Sequence, residues 1–253
     1  AYGNMTFYPE NFVMMSERDG YNHLYLYAAS GNLIKQITKG EYEVKEFLGW
    51  DKKTNTYYYT SNEGSPLRSA VYKIDAKGRK TKLSAKEGTN RAIFSKSMKY
   101  YINTFTNITT PPVITINDNT GKTLTTLVDN KRLAEKVANL HMPSKEFFTF
   151  TTSDGVELNG WMMKPANFDA NKKYPVIMHQ YSGPGSQRVL DQWNIGSRSD
   201  GGMFEAYMAD HGFISVCVDG RGTGGRGAEF EKCTYMNLGV KEARDQVETA
   251  LYL

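Results

Sequence analysis

The segment Gly222-Thr223-Gly224-Gly225-Arg226-Gly227 follows the apolar run FISVCVD and fits the G-x-G-x-x-G spacing. A strand-to-helix turn with that spacing can cradle a pyrophosphate, and Glu242 stands about 20 residues on, where a ribose-binding carboxylate would be. Three features count against nucleotide chemistry. The strand ends in charged Asp219-Gly220-Arg221, the following AEFEKCTYMNLG lacks a tight helix start, and this strand would be the fourth of its domain rather than the first. The glycines read instead as a turn that lets backbone pass close by, with Asp219 and Arg221 bracing it through hydrogen bonds.

Nucleophilic catalysis by serine on a strand-to-helix turn has its own signature, G-x-S-x-G. No serine satisfies it: Ser186 lies in GPGSQR and Ser199 in SRSDG. The Asp and His partners of such a serine follow it in the chain, so the catalytic Ser, Asp and His are all expected outside this sequence. Gly121-Lys122-Thr123 resembles the end of a P-loop, but Ile116 occupies the position of its first glycine. His23, His141, His179 and His211 are scattered without H-E-x-x-H or C-x-x-C spacing, so no metal site is expected, and no cofactor. His179 reads as a core histidine, and His211 as a favourable charge at a helix C-terminus.

What remains is Tyr181-Ser182-Gly183-Pro184 at the end of the apolar run YPVIMHQY. Loops at the carboxyl ends of strands in α/β sheets are where ligand chemistry is placed. A neutral phenol there could donate a hydrogen bond to a developing oxyanion. It could equally be a tyrosine capping a strand before a Gly-Pro turn.

The elements that must position these residues divide into two grammars. Up to about residue 140 there are short strands: FVMMS at 12–16, HLYLYAA at 23–29, NLIKQIT at 32–38, TYYYTS at 56–61, AVYKID at 70–75, KYYINTF at 99–105 and VITIND at 113–118. A strand, a turn ending in glycine and a second strand recur in LYLYAASGNLIKQI, VYKIDAKGRKTKL and VITINDNTGKTLTTL. Their glycines, Gly31, Gly78 and Gly121, lie 47 and 43 residues apart. MMSERDG and YTSNEGS add a second match upstream of the first two. Periods of about 40–50 residues with four strands each indicate propeller blades; a β-sandwich with coincidental hairpin spacing is the alternative. Three blades do not close a ring, so further blades are expected before them.

LAEKVANL at 133–140 is the first helical pattern. Beyond it, EFFTFTTSDGVELNGWMMKP reads as a strand pair turning at Ser153-Asp154-Gly155, KKYPVIMHQY at 172–181 as a buried strand, and GGMFEAYMADHG as a helix stopped by Gly212. Its helical spacing runs through Met203, Phe204, Tyr207 and Met208. FISVCVDG is a second buried strand, with Cys217 a buried free thiol, and GVKEARDQVETALYL begins an amphipathic helix without a C-terminal cap. Alternating strands and helices imply an α/β domain with a largely parallel sheet. The expected organisation is all-β over 1–140 and the first part of an α/β domain over 141–253, cut within its last helix.

Composition agrees with a globular protein, at 40% hydrophobic and 23% charged residues. A net charge of +4 without basic runs gives no reason to expect nucleic acid or a membrane surface as partner. No run approaches the roughly 20 apolar residues that cross a bilayer.

Taken together and in order, SERDGYNHLY, QITKGEYEV, YYTSNE, FSKSMKYYI, LHMPSKEF, KKYPVIMHQYSGPGSQ, VDGRGTGGRG and the DQVETA helix resemble the dipeptidyl peptidase IV branch of the prolyl oligopeptidase family. The resemblance spans nearly all 253 residues and rests on the collinear set. It implies an N-terminal eight-bladed propeller followed by an α/β-hydrolase domain, this chain being the last blades and the first part of the hydrolase sheet. The whole enzyme would be a serine exopeptidase releasing N-terminal dipeptides with Pro or Ala second, acting on peptides with a free N-terminus. It would work as a homodimer in the periplasm, at the cell surface or secreted. Tyr181 matches the family tyrosine whose hydroxyl stabilises the oxyanion; Asp219 and Arg221 would be structural neighbours of the site. The paired glutamates that hold the substrate amine have no match here, so endopeptidase or acylaminoacyl-peptidase activity, or a catalytically dead homologue acting as a binding protein, stay open as alternatives. The chain by itself is expected to be inactive.

Overall fold

The glycine repeat of the first half becomes three four-stranded antiparallel sheets, each a meander in chain order. The first holds β1 (Met5–Phe7), β2 (Asn11–Ser16), β3 (His23–Ala28) and β4 (Leu33–Gln36). The second holds β5 (Val44–Asp51), β6 (Thr56–Ser61), β7 (Ala70–Ile74) and β8 (Lys80–Lys82). The third holds β9 (Thr89–Phe94), β10 (Tyr100–Thr106), β11 (Val113–Asp118) and β12 (Thr123–Val128). These are blade-like sheets: neighbours in space are neighbours in sequence, without the crossings a sandwich would need. The coordinates come from a computed structural model that describes residues 5–143, 145–195 and 202–253. Ser199 lies outside them.

Residues form two units. The first comprises the chain up to Thr106, Pro112–Asp129 and Gly225–Glu229; the second comprises Asn107–Pro111, Asn130–Gly224 and Phe230–Leu253.

In the first unit the repeated turns share one geometry. Gly31, Gly78 and Gly121 take φ of 88°, 77° and 95°. Each donates its N–H to the carbonyl three residues back, on Ala28, Asp75 and Asp118, at 2.9–3.0 Å. Asp75 and Asp118 also accept backbone N–H groups from Lys77 and Arg79, and from Thr120 and Lys122. The upstream match holds as well, since Gly20 N donates to Glu17 O and Ser65 N to Asn62 O.

Side-chain alternation explains why all six residues of β6 are buried. Tyr57 and Tyr59 join the core built with Val13, Leu24, Leu26 and Val44. Tyr58 points to the opposite face, into the core with Val71, Ala92 and Tyr101. The middle sheet is therefore packed on both sides. The sequence reading misses the opening strand of each sheet: β1 has three residues, β5 carries bulges around Glu46 and Gly49, and β9 begins Thr-Asn-Arg. None presents the alternation that identifies a strand.

In the second unit, α1 (Lys131–Ala138) precedes the hairpin of β13 (Lys145–Thr151) and β14 (Glu157–Met163). The turn closes through Gly155, at φ 83°. Then come β15 (Val176–Met178), α2 (Met203–Asp210), β16 (Ile214–Asp219), α3 (Ala228–Lys232) and α4 (Val240–Tyr252). The sheet order is β13-β14-β16-β15. Only β15–β16 is parallel; β13–β14 and β14–β16 are antiparallel, so the largely parallel sheet is not what the described residues form. Phe150, Leu158, Val216 and Val218 make the core on one face, where Tyr252 of α4 stacks on Phe150 at 4.9 Å. Met163 meets Ala206 and Ala209 of α2 in a separate cluster.

Three expectations need correction. The apolar run at 172–181 gives a strand of three residues with Val176 exposed, because β15 pairs on one side only among the described residues. His179 lies just beyond it, half-buried rather than in the core. In α2 the large apolar residues Met203, Phe204 and Tyr207 are exposed, while Glu205, Ala206 and Ala209 are buried. Small side chains let the helix approach Met163, so its buried face is not its most hydrophobic one. Gly212 ends this helix at φ 84°, and His211 Nδ1 lies 2.8 Å from Tyr207 O.

Candidate functional site

Tyr181 follows β15 and is 57% exposed. Among the described residues its hydroxyl has no hydrogen-bond partner. Its ring lies over Gly183, where a Cβ would sit 2.8 Å from Tyr181 Cε1 and 3.1 Å from Oη. A glycine is required there for the phenol to take this pose. Arg188 places its guanidinium 5.5 Å from the ring centroid, within cation–π range.

The loop is closed on itself by Ser186. Its Oγ lies 2.9 Å from Tyr181 O and 2.5 Å from Gly183 O, and its N–H donates to Gly183 O at 3.1 Å. Ser186 is thus a loop fastener and no nucleophile.

Asp219 and the glycine segment hold the loop from β16. The Asp219 carboxylate, 6% exposed, accepts Arg188 N at 2.9 Å and Val189 N at 2.8 Å. Gly224 N donates to Ser186 O at 2.8 Å. A Cβ on Gly224 would meet the Gly185 backbone at 3.2 Å, and one on Gly222 would meet Ser182 O at 3.3 Å. Gly222 also needs φ of 96°. The space a pyrophosphate would take over these glycines is filled by this protein's own loop.

Arg221 points the other way. Its Nε lies 3.1 Å from both Asp245 oxygens and its Nη2 2.5 Å from Oδ1, while its Nη1 donates to Asp154 Oδ2 at 2.8 Å. The hydrogen bonds from Asp245, then those from Asp154, raise the guanidinium pKa further above its ordinary value. The Thr152 hydroxyl and then Arg221 hold the Asp154 carboxyl down at about 2. So Asp219 and Arg221 have different tasks: the first fastens the Tyr181 loop, the second ties the glycine turn to α4 and to the β13–β14 turn.

Gly225–Glu229 groups with the first unit. There Asn62 Nδ2 donates to Gly225 O at 2.7 Å, Gly227 N to Glu43 Oε1 at 2.9 Å, and Ala228 N to Gly20 O at 2.7 Å. The helix start missing from the sequence reading exists, as the five-residue α3 directly after Gly227.

Sequence reasoning passes over Asp245 and names Asp154, Gly183 and Ser186 without the roles they take here. For Asp245 a signal exists: an acidic residue on the inward face of an amphipathic helix needs a buried cation. No group of three or more His, Cys, Asp or Glu among the described residues could hold a metal ion, and no helix among them is long and apolar enough to cross a membrane.

Two family models match the chain: the dipeptidyl peptidase IV N-terminal region over residues 4–112, and the prolyl oligopeptidase family over residues 203–253. Dipeptidyl peptidase 4 of Trichophyton rubrum is 33% identical over 248 residues, which cover 95% of this chain and 31% of that protein. Dipeptidyl peptidase 4 of Arthroderma otae is 32% identical, with the same two coverages. The crystal structure of Porphyromonas gingivalis dipeptidyl peptidase 4 superposes with a TM-score of 0.91 at 46% identity, covering 98% of this chain and 34% of that one. The chain thus spans about a third of the length of the relatives it matches. On these matches, and on blade-like sheets followed by a sheet whose loops hold Tyr181, the chain belongs to the dipeptidyl peptidase IV branch of the prolyl oligopeptidase family.

Proposed function

We propose that the complete protein is a serine exopeptidase that releases N-terminal dipeptides, with Pro or Ala second, and that Tyr181 donates a hydrogen bond to the reacting carbonyl. The serine, its histidine base and the orienting aspartate would come from parts of the protein outside this chain. Serine attack on the scissile carbonyl moves negative charge onto its oxygen. The histidine takes the serine proton and passes it to the leaving amine, and water then releases the dipeptide from the acyl-enzyme. A preorganised donor aimed at the oxyanion lowers the barrier because it needs no reorganisation when the charge appears. The observation that supports this reading is the Tyr181 hydroxyl itself, exposed at a strand end on a loop fixed by Ser186, Asp219 and Gly224.

The substrates would be peptides with a free N-terminus, and the protein a homodimer acting in the periplasm, at the cell surface or after secretion. Hydrolysis of Gly-Pro-p-nitroanilide by the complete protein, beside its N-acetylated form, tests the activity. Release from the free amine alone is expected. Equal release from both forms would point to an acylaminoacyl peptidase or endopeptidase, and release from neither to a binding protein.

A further inference from the structure

Asp219 ends β16 with a carboxylate that is nearly inaccessible and already engaged. Arg188 N lies 2.9 and 3.0 Å from its two oxygens, and Val189 N 2.8 Å from Oδ2. This carboxylate collects two consecutive backbone amides. What it fixes is the far end of the loop that begins at Tyr181. The near end is fixed by Ser186 Oγ on Tyr181 O, and the middle by Gly224 N on Ser186 O. Between these points the phenol ring rests on Gly183 and under the Arg188 guanidinium, and among the described residues its hydroxyl has no hydrogen-bond partner. Its direction is therefore set by the backbone of residues 181–189.

We infer that Asp219 is a positioning residue for the reaction: it touches no substrate and acts through Tyr181, by holding the Arg188–Val189 backbone so that the phenol hydroxyl meets the oxyanion. The inference rests on the donor role proposed for Tyr181. Charge is essential to the device, because hydrogen bonds to an ionised acceptor are about twice as strong as neutral ones. An amide of the same shape would turn an NH₂ group toward one of the two N–H donors. An error of about 1 Å in such a group can cost about a hundredfold in rate.

The test is a double-mutant cycle in the complete protein with Asp219→Asn and Tyr181→Phe, reading kcat and KM separately on a Gly-Pro chromogenic substrate. Asp219→Asn is expected to lower kcat about tenfold or more with KM within about twofold, and to slow Tyr181→Phe no further than about twofold. An Asp219→Asn enzyme at full speed, or one slowed by the same factor with and without the Tyr181 hydroxyl, would overturn the inference. A purely structural role would lower stability without this non-additivity. If Asp219→Asn does not fold, Ser186→Ala serves in the same cycle, because it loosens the same loop from its other end. It should lose its effect on kcat in the Tyr181→Phe background, and an unchanged effect there would overturn the inference. A Tyr181→Phe enzyme at full speed would instead overturn the donor role beneath it.

Discussion

Arg221 meets Asp245 with both its backbone and its side chain. The Arg221 N–H donates to Asp245 Oδ2 at 2.7 Å while Nε and Nη2 reach the same carboxylate. The side chains are 9% and 0% exposed. The glycine turn that carries the Tyr181 loop is thereby fixed to α4.

Removing one partner from a buried pair leaves the other charge uncompensated, a loss of about 3–5 kcal/mol. Asp245→Asn should therefore lower the stability of the complete protein by about that amount in urea unfolding. Arg221→Met combined with Asp245→Leu should recover most of it, since a buried pair replaced as a whole by apolar groups is often near neutral. A single mutant as stable as the parent would contradict this picture of the turn.

Asp154 supplies a pH dependence. Its carboxyl is held at about 2 in the folded protein, against 3.8 for the free group. A depressed carboxyl binds protons less readily when folded, so its contribution is complete above the unfolded value and is lost as pH falls from about 4 toward 2. Stability against pH in that window should be flatter in Asp154→Asn than in the parent. The same slope in both proteins would remove Asp154 as its source.

The three repeat glycines are not equivalent. Gly31 and Gly78 have nothing within 4 Å of a would-be Cβ, whereas at Gly121 it would sit 2.6 Å from Leu83 O. Gly31→Ala should cost about 1–2 kcal/mol, the price of the left-handed backbone for a side chain. Gly121→Ala should cost clearly more, because backbone must also move, and thermal unfolding of the two variants compares them. Equal losses would mean that the Gly121 turn can shift away from Leu83 freely.

These same glycines show what the sequence made legible. A turn residue at φ near 90° must be glycine, so the hairpin period is readable as spacing, and with it the blades. Opening strands such as β5, whose bulges break the alternation, are not readable that way. In the site, the position of Tyr181 at a strand end before Gly-Pro is readable from the sequence, but its residue chemistry leaves a donor and a strand cap equally open, and only the family resemblance favours the donor. Arg221 is readable as bracing the glycine turn, whereas the Asp219 carboxylate, expected at the same turn, is found on the Arg188 and Val189 amides; the partners themselves are not readable, since Arg188, Val189, Asp154 and Asp245 lie 24 to 67 residues away. Such pairings depend on which strands become neighbours. The buried face of α2 is not readable for a related reason, since close approach to Met163 selects Ala206 and Ala209 over the larger apolar residues.

The donor role proposed for Tyr181 has one direct test. Tyr181→Phe in the complete protein removes that hydroxyl and leaves the ring over Gly183. Measured on Gly-Pro-p-nitroanilide, kcat should fall at least about tenfold, and by as much as about 10²–10³ if the donor acts as oxyanion-hole donors do elsewhere. Unfolding should be unchanged. A kcat equal to that of the parent would exclude the Tyr181 hydroxyl as the oxyanion donor.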